Sequence, residues 1–191
     1  MKPLPLLLAS SSPRRVLLLR QIGIAPDHIV SPEIDETPAR DESPRRYAAR
    51  MARGKADAVR SVDHIVLAAD TVVAVGRRIL PKAESAAEVR ACLTLLSGRR
   101  HRVLTAIALS SPAGVTRERL VESAVTFNRL TEEQIERTVA TGEGIGKAGG
   151  YAINGYAGSF IRFQSGSHSA VVGLPLFETA QLLRSFGWQV P

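Results

Sequence analysis

The chain is predicted to be a mixed α/β protein, a single sheet covered by helices. Three observations point there. Apolar strand-like runs and amphipathic helical segments alternate along most of the 191 residues. Two long strand patterns, roughly 101–110 and 117–128, are joined only by the polar turn "SSPAGV", so at least one pair is antiparallel. The composition, 45% hydrophobic and 23% charged, is that of a globular chain with enough apolar surface for a core. The length fits one domain spanning residues 1–191.

The elements follow in order. Residues 4–10 read as a buried strand, and 13–22 as a helix with Pro13 at its first position, Ser12 as its cap and Gly23 at its end. Its apolar residues run from Val16 to Leu19 and resume at Ile22, so most of its surface needs burial. Residues 28–32 form a short strand, followed by the acidic loop "EIDETPARDESP". A helix from Ser43-Pro44 to about Arg60 places Tyr47, Ala48, Met51, Ala52, Ala56 and Val59 on its inward face. "HIVLAADTVVAV" (64–75) is the strongest strand. Ser85 caps a helix that runs to Leu96, and Thr131 caps another with Glu132 and Glu133 in its first turn. Nine of the 15 glycines then fall between Gly142 and Gly173, which predicts turns and close backbone approach. A last helix is expected from Leu174 to Phe186, ended by Gly187.

Composition also excludes some classes. No run approaches the ~18 apolar residues of a membrane-spanning helix. "MKPLPLLLASSS" resembles a signal peptide only superficially, because its apolar run is about five residues and proline interrupts it. One cysteine, Cys92, forms no internal disulfide and fits a reducing cytoplasm. The net charge of +7 suggests anionic ligands, either nucleotide phosphates or nucleic acid. A nucleic-acid-binding module should interleave aromatics with its basic residues. Only nine aromatics occur, and only Tyr47 lies near the stripe of Arg46, Arg50 and Arg53, so that alternative is the weaker one.

Several residues sit where structure alone gives no reason for them. Arg14 and Arg15 follow Ser12-Pro13 at the positive end of a helix dipole, where cations are disfavoured by some tenths of a kcal/mol each. With the serines and the free N–H groups they would form an anion site suited to phosphate; otherwise they pair with acidic neighbours at the surface. "LAADT" places Asp70 and Thr71 at or near the end of an apolar strand, where a carboxylate needs water, a metal or a cation, as a base or ligand facing a crevice or as a capping aspartate. Lys55 lies on an inward helix face and either snorkels outward or points at an anion. Lys82, Lys147 and Glu36 lie in turn or loop contexts that are ordinarily just solvated. The four histidines show no metal-ligand spacing, and "GEGIGKAGG" lacks the spacing and the Ser or Thr of a Walker A loop.

Taken together, "ASSSPRR", "DET" followed by "YAARMARGKA", "LAADTVV", "LTLLSGRRHRVLTA", "GKAGGYAINGYAG" and "VVGLPLFET" resemble the Maf family of nucleoside triphosphate pyrophosphatases, in the family's order, from about residue 6 to 186. The resemblance implies a two-lobed fold similar to the inosine triphosphate pyrophosphatases, with a central nucleotide cleft. It implies hydrolysis of a nucleoside triphosphate to monophosphate and pyrophosphate with Mg²⁺ or Mn²⁺. Asp70 matches the family's proton acceptor, and Arg14, Thr71 and Asn154 match positions credited with substrate choice. Ser10, Arg15, Glu36, Lys55 and Lys82 match polar residues lining the cleft, with Glu36 and Asp70 as metal-holding carboxylates. "GGYAINGYAG" looks like the dTTP/UTP subfamily and is unlike the 7-methyl-GTP subfamily. The chain has Asn154 where that subfamily usually carries glutamine, and Ala83 where proline usually follows the lysine. The shorter amide implies a pyrimidine preference kept in kind and weakened in degree. The resemblance further implies a cytoplasmic enzyme whose partner is its substrate, with no membrane and no stable nucleic-acid complex, and it allows a homodimer.

Overall fold

The structure, a computed structural model, describes residues 4–190; Met1–Pro3, the start of the segment compared above with a signal peptide, and Pro191 lie outside the described residues. Its elements in order are β1 (Leu6–Ala9), α1 (Pro13–Gln21), β2 (His28–Val30), α2 (Pro44–Ala58), β3 (Ile65–Val75), β4 (Arg78–Leu80), β5 (Lys82–Ala83), α3 (Ala86–Leu96), β6 (Arg100–Ser110), β7 (Thr116–Phe127), α4 (Glu132–Ala140), β8 (Lys147–Ala148), a 3₁₀ turn (Tyr156–Phe160), β9 (Ile161–Ser165), α5 (His168–Val172) and α6 (Leu176–Ser185). The main sheet has the order β2-β1-β3-β6-β7-β9, with β4 added to β3; β5 and β8 form a separate ribbon. β1 runs parallel to β2 and β3, and the remaining pairs are antiparallel. The mixed sheet covered by helices is thus what forms.

Strand alternation distributes β3 between two faces. Val66, Ala68, Val72 and Ala74 face α2, whose Ala48, Ala52 and Ala56 let helix and sheet approach closely. Ile65, Leu67 and Ala69 face the opposite way, under Leu18 and Leu19 of α1 and Leu182 and Leu183 of α6. Further along that second face, Val73 joins Val103, Val125 and Phe127 beneath α3, where Val89, Leu93 and Leu96 are buried. Each large side chain fully buried in this way contributes about 1.5–3 kcal/mol. One face of a continuous sheet therefore carries two separate helical packs, and a cleft opens between them.

The cleft also depends on a break in the ladder. On one side β3 is paired with β6 without interruption from Val66 to Ala74. On its other side β1 pairs only as far as Ala68, and β4 begins pairing at Val73. Among the described residues, no strand lies beside 69–72 on that side. Asp70 and Thr71 lie in this gap, in the middle of β3 rather than at or near its end as the sequence suggests; what ends there is the short neighbouring strand.

Two other expectations are corrected. Leu17 is 58% exposed, so α1 buries a narrower stripe than its apolar run implied. The glycine-rich segment is not merely turns: it contains β8, the 3₁₀ turn, β9 and α5.

Candidate active site

The cleft has a volume of about 410 Å³ and is walled by the β1–α1 turn, the gap in β3, the β5–β8 ribbon, the 151–154 loop and the α5–α6 turn. Every site residue named from the sequence lines it: Ser10, Arg14, Arg15, Glu36, Lys55, Asp70, Thr71, Lys82 and Asn154.

Its floor is a carboxylate pair bridged by one ammonium group. Lys55 lies on the α2 face that packs against the sheet and is only 5% exposed. Its Nζ donates to Asp70 Oδ1 at 2.6 Å and meets Glu36 Oε1 at 2.8 Å. The inward lysine therefore points at anions and does not snorkel. Asp70, 3% exposed, gains from Lys55 the partner that a buried carboxylate requires. Glu36 is placed by its loop: the Tyr47 hydroxyl of α2 donates to the Glu36 carbonyl at 2.7 Å. Lys82 on β5 reaches Glu36 Oε2 at 2.5 Å from the opposite wall. Burial alone would raise the Glu36 carboxyl's pKa, but hydrogen bonds from Lys55 and Lys82 hold it below the usual carboxylate range.

The second wall is cationic. The N-terminus of α1 opens onto the cleft without a side-chain cap, because the Ser12 hydroxyl bonds no helix N–H, and no acidic residue occupies the first turn. Burial pushes the Arg14 guanidinium's pKa down, and no protein carboxylate offsets that cost among the described residues. Arg15 is committed differently: its Nη1 donates to Ser10 Oγ at 2.8 Å and its Nε to the Gly173 carbonyl at 2.9 Å. It pins the β1–α1 turn to the α5–α6 turn. Ser10 is therefore engaged within the protein, accepting also from the Ser12 N–H at 3.2 Å. On the other face of β3, Thr71 Oγ1 lies 3.1 Å from Thr105 Oγ1, which also bonds the Ala170 carbonyl at 2.7 Å.

The third wall comes from the glycine-rich segment. Gly149 and Gly150 have φ near +72° and +67°, and a Cβ on either would lie about 3 Å from Val73 or Cys92. Only glycine lets this loop lie against β3 and α3. It delivers Lys147, which the sequence suggested was simply exposed. Instead Lys147 lines the cleft and donates to the Glu143 carbonyl, and burial followed by the proximity of Arg14 depresses its pKa. Tyr151, also absent from the sequence-based set, is buried beneath the loop with its hydroxyl 2.8 Å from His101 Nε2 and its ring edge-on to Phe127. Burial lowers the His101 imidazole to about 4, so it is neutral at pH 7. Nothing local distinguishes Lys147 from any lysine in a turn; the density of glycines around it was the available signal.

Two anionic oxygens fixed by a buried lysine, opposite Arg14, Lys147 and an uncapped helix terminus, define a mixed α/β protein with a cleft for a polyanionic ligand. The chain belongs to the Maf-like protein family, whose profile matches residues 5–186. It is 57% identical over 201 residues to the dTTP/UTP pyrophosphatase of Granulibacter bethesdensis, an alignment covering 97% of this chain and 94% of that protein. It is 60% identical over 186 residues to the dTTP/UTP pyrophosphatase of Gluconobacter oxydans, covering 94% and 85% respectively. A solved dITP/XTP pyrophosphatase from Mycobacterium abscessus overlaps 66% of this chain and 75% of its own at 23% identity and a TM-score of 0.43, too loose a superposition to transfer any residue's role.

Proposed function

We propose that this protein hydrolyses dTTP and UTP to the nucleoside monophosphate and pyrophosphate through attack of water on the α-phosphorus. The observation that carries this reading is the opposition within one cleft of the Lys55-bridged Asp70 and Glu36 to Arg14, Lys147 and the open α1 terminus. The names of the relatives, dTTP/UTP pyrophosphatases, support the substrate. Asp70 acts as general base: Lys55 holds Oδ1, which leaves Oδ2 uncommitted among the described residues to take a proton from water. Departure of pyrophosphate develops new negative charge, and Arg14, Lys147 and the α1 N–H groups are already placed to receive it. Arg15, spent on Ser10 and Gly173, shapes this wall more than it binds.

Among the described residues no group of three or more His, Cys, Asp or Glu side chains is placed to hold a metal ion. Two neighbouring carboxylates do fit Mg²⁺ or Mn²⁺, because such ions are commonly held by one or two carboxylates with substrate phosphates and water as the other ligands. Glu36 and Asp70 would hold it, and a bound ion supplies neutralisation of phosphate charge. Asn154 and Thr71 line the same cleft, and in this reading the Asn154 amide meets the edge of the base. The buried free thiol of Cys92 supports a reducing cytoplasm; no helix among the described residues is long and apolar enough to cross a membrane.

The test is incubation of the protein with UTP, dTTP, CTP, GTP and ATP in Mg²⁺, resolving pyrophosphate from orthophosphate. Pyrophosphate with UMP and dTMP is expected. Orthophosphate release would make the protein a phosphatase, and no turnover on any triphosphate would overturn the assignment.

A further inference from the structure

Asn154 is held by a residue outside the cleft. His168, the first residue of α5, is exposed and does not line the cleft, whereas Asn154 does. The His168 ring lies between two side-chain amides: Nε2 is 3.0 Å from Asn154 Oδ1, and Nδ1 is 3.1 Å from Gln164 Oε1 on β9. We propose that His168 is a positioning residue that sets base preference by locking the Asn154 amide with its NH₂ group turned to the ligand. The proposal rests on the nucleotide reading above and deepens it.

An asparagine amide is nearly symmetric in shape but opposite in chemistry at its two ends, one an acceptor and the other a double donor. Unless something holds it, it turns over and pairs with either a carbonyl or an amino group. His168 removes that freedom. To bond Oδ1, Nε2 must carry a proton, and it does so in two of the forms available to the ring. In the neutral form with the proton on Nε2, Nδ1 is an acceptor, and the Gln164 amide, whose Oε1 faces Nδ1 in the structure, turns over to present its NH₂. In the cationic form both nitrogens donate to the two carbonyl oxygens. Either way Asn154 Oδ1 is claimed from behind, and Nδ2 is the end offered to the cleft.

A fixed donor selects an acceptor. Uracil and thymine carry a carbonyl at position 4, which accepts from the amide. Cytosine carries an amino group there, which sets donor against donor. The lock therefore favours 4-keto over 4-amino pyrimidine nucleotides. The two-point amide pairing available to an unrestrained side chain is reduced to one directed hydrogen bond.

The test compares kcat/KM for UTP and CTP in the wild type, His168→Phe, Asn154→Ala and the double variant. Phenylalanine keeps the ring and removes both nitrogens at an exposed site, so the melting temperature is expected to hold. With the lock gone the amide is free to turn, and the UTP:CTP ratio is expected to fall by roughly three- to tenfold, mainly through faster use of CTP. In the Asn154→Ala background His168→Phe is expected to change nothing further, because the residue acts only through that amide. A merely structural role would lower both substrates equally. Wild-type turnover with no UTP:CTP preference, a ratio unmoved by His168→Phe, or a full His168→Phe effect in the Asn154→Ala background would each overturn the lock while leaving the pyrophosphatase reading standing. Failure of the wild type to yield pyrophosphate from any triphosphate would overturn both.

Discussion

The tetrapeptide Ser-Pro-Arg-Arg opens two helices in this molecule, α1 at residues 12–15 and α2 at residues 43–46, and the two helix starts have different fates. Both serines are extended and both prolines take the first helical turn. In α2 the Ser43 hydroxyl caps the Arg46 N–H at 3.4 Å, and Arg45 finds Glu122 of β7 at 3.6 Å. In α1 the Ser12 hydroxyl caps no helix N–H, Arg14 has no carboxylate partner among the described residues, and Arg15 is drawn to Ser10 and the Gly173 carbonyl. Two arginines in a first turn are thus not in themselves the mark of an anion site. What makes one is an arginine with no carboxylate paired to it among the described residues, combined with a strand that stops short beside it.

If the α1 terminus is the working one, the largest effect belongs to the base it faces. Asp70→Asn is expected to cost on the order of 10²–10⁴ in kcat with the fold intact. Activity within a few-fold of wild type on folded protein would remove Asp70 from the mechanism. Next come the paired arginines. Arg14→Ala is expected to lower kcat/KM by roughly 10- to 100-fold, the worth of a hydrogen bond to a charged group, with a melting temperature unchanged or slightly raised because an unfavourable dipole contact is gone. Arg45→Ala is expected to leave kinetics unchanged. Equal kinetic losses in the two variants would erase the distinction between the helices. The smallest effect concerns the serines: Ser43→Ala is expected to cost about 1 kcal/mol, a drop of about 2–4 °C in Tm, while Ser12→Ala costs nothing measurable in stability. Thermal melts of the two variants side by side decide it.

The long elements were legible in the sequence because periodicity and caps are local. Thr131 caps α4 as its sequence indicates, and the structure adds the return bond from Gln134 that makes it a capping box. The elements not foreseen, β4, β5, β8, β9, α5 and the 3₁₀ turn, are two to five residues long, and their conformation comes from whatever they pair with. Site residues followed the same division. Asp70 and Lys55 stood out because a charge on an apolar face demands a partner, and each turned out to be the other's. Lys147 and His168 did not, since one is a lysine in a turn and the other a histidine considered only as a metal ligand. The sequence puts Asp70 at or near a strand end because the length of β1, which creates the gap, is not written anywhere in β3.

That gap ties the cleft to the order in which the chain assembles. One of its borders is the β3–β4 hairpin, closed through the two residues Gly76 and Arg77 with Gly76 at φ near +57°; contacts this local form on a timescale of microseconds. The other border is β1, which must find Ile65 from Leu6 across two helices and an intervening strand, so its docking waits on a long loop closure. Without the pairing of the four β1 residues the β3–β6–β7 antiparallel ladder would still be complete, but the wall that carries Ser10 and Arg14 would have no strand to hold it. The cleft is therefore complete only once β1 has paired, however well the antiparallel core has formed.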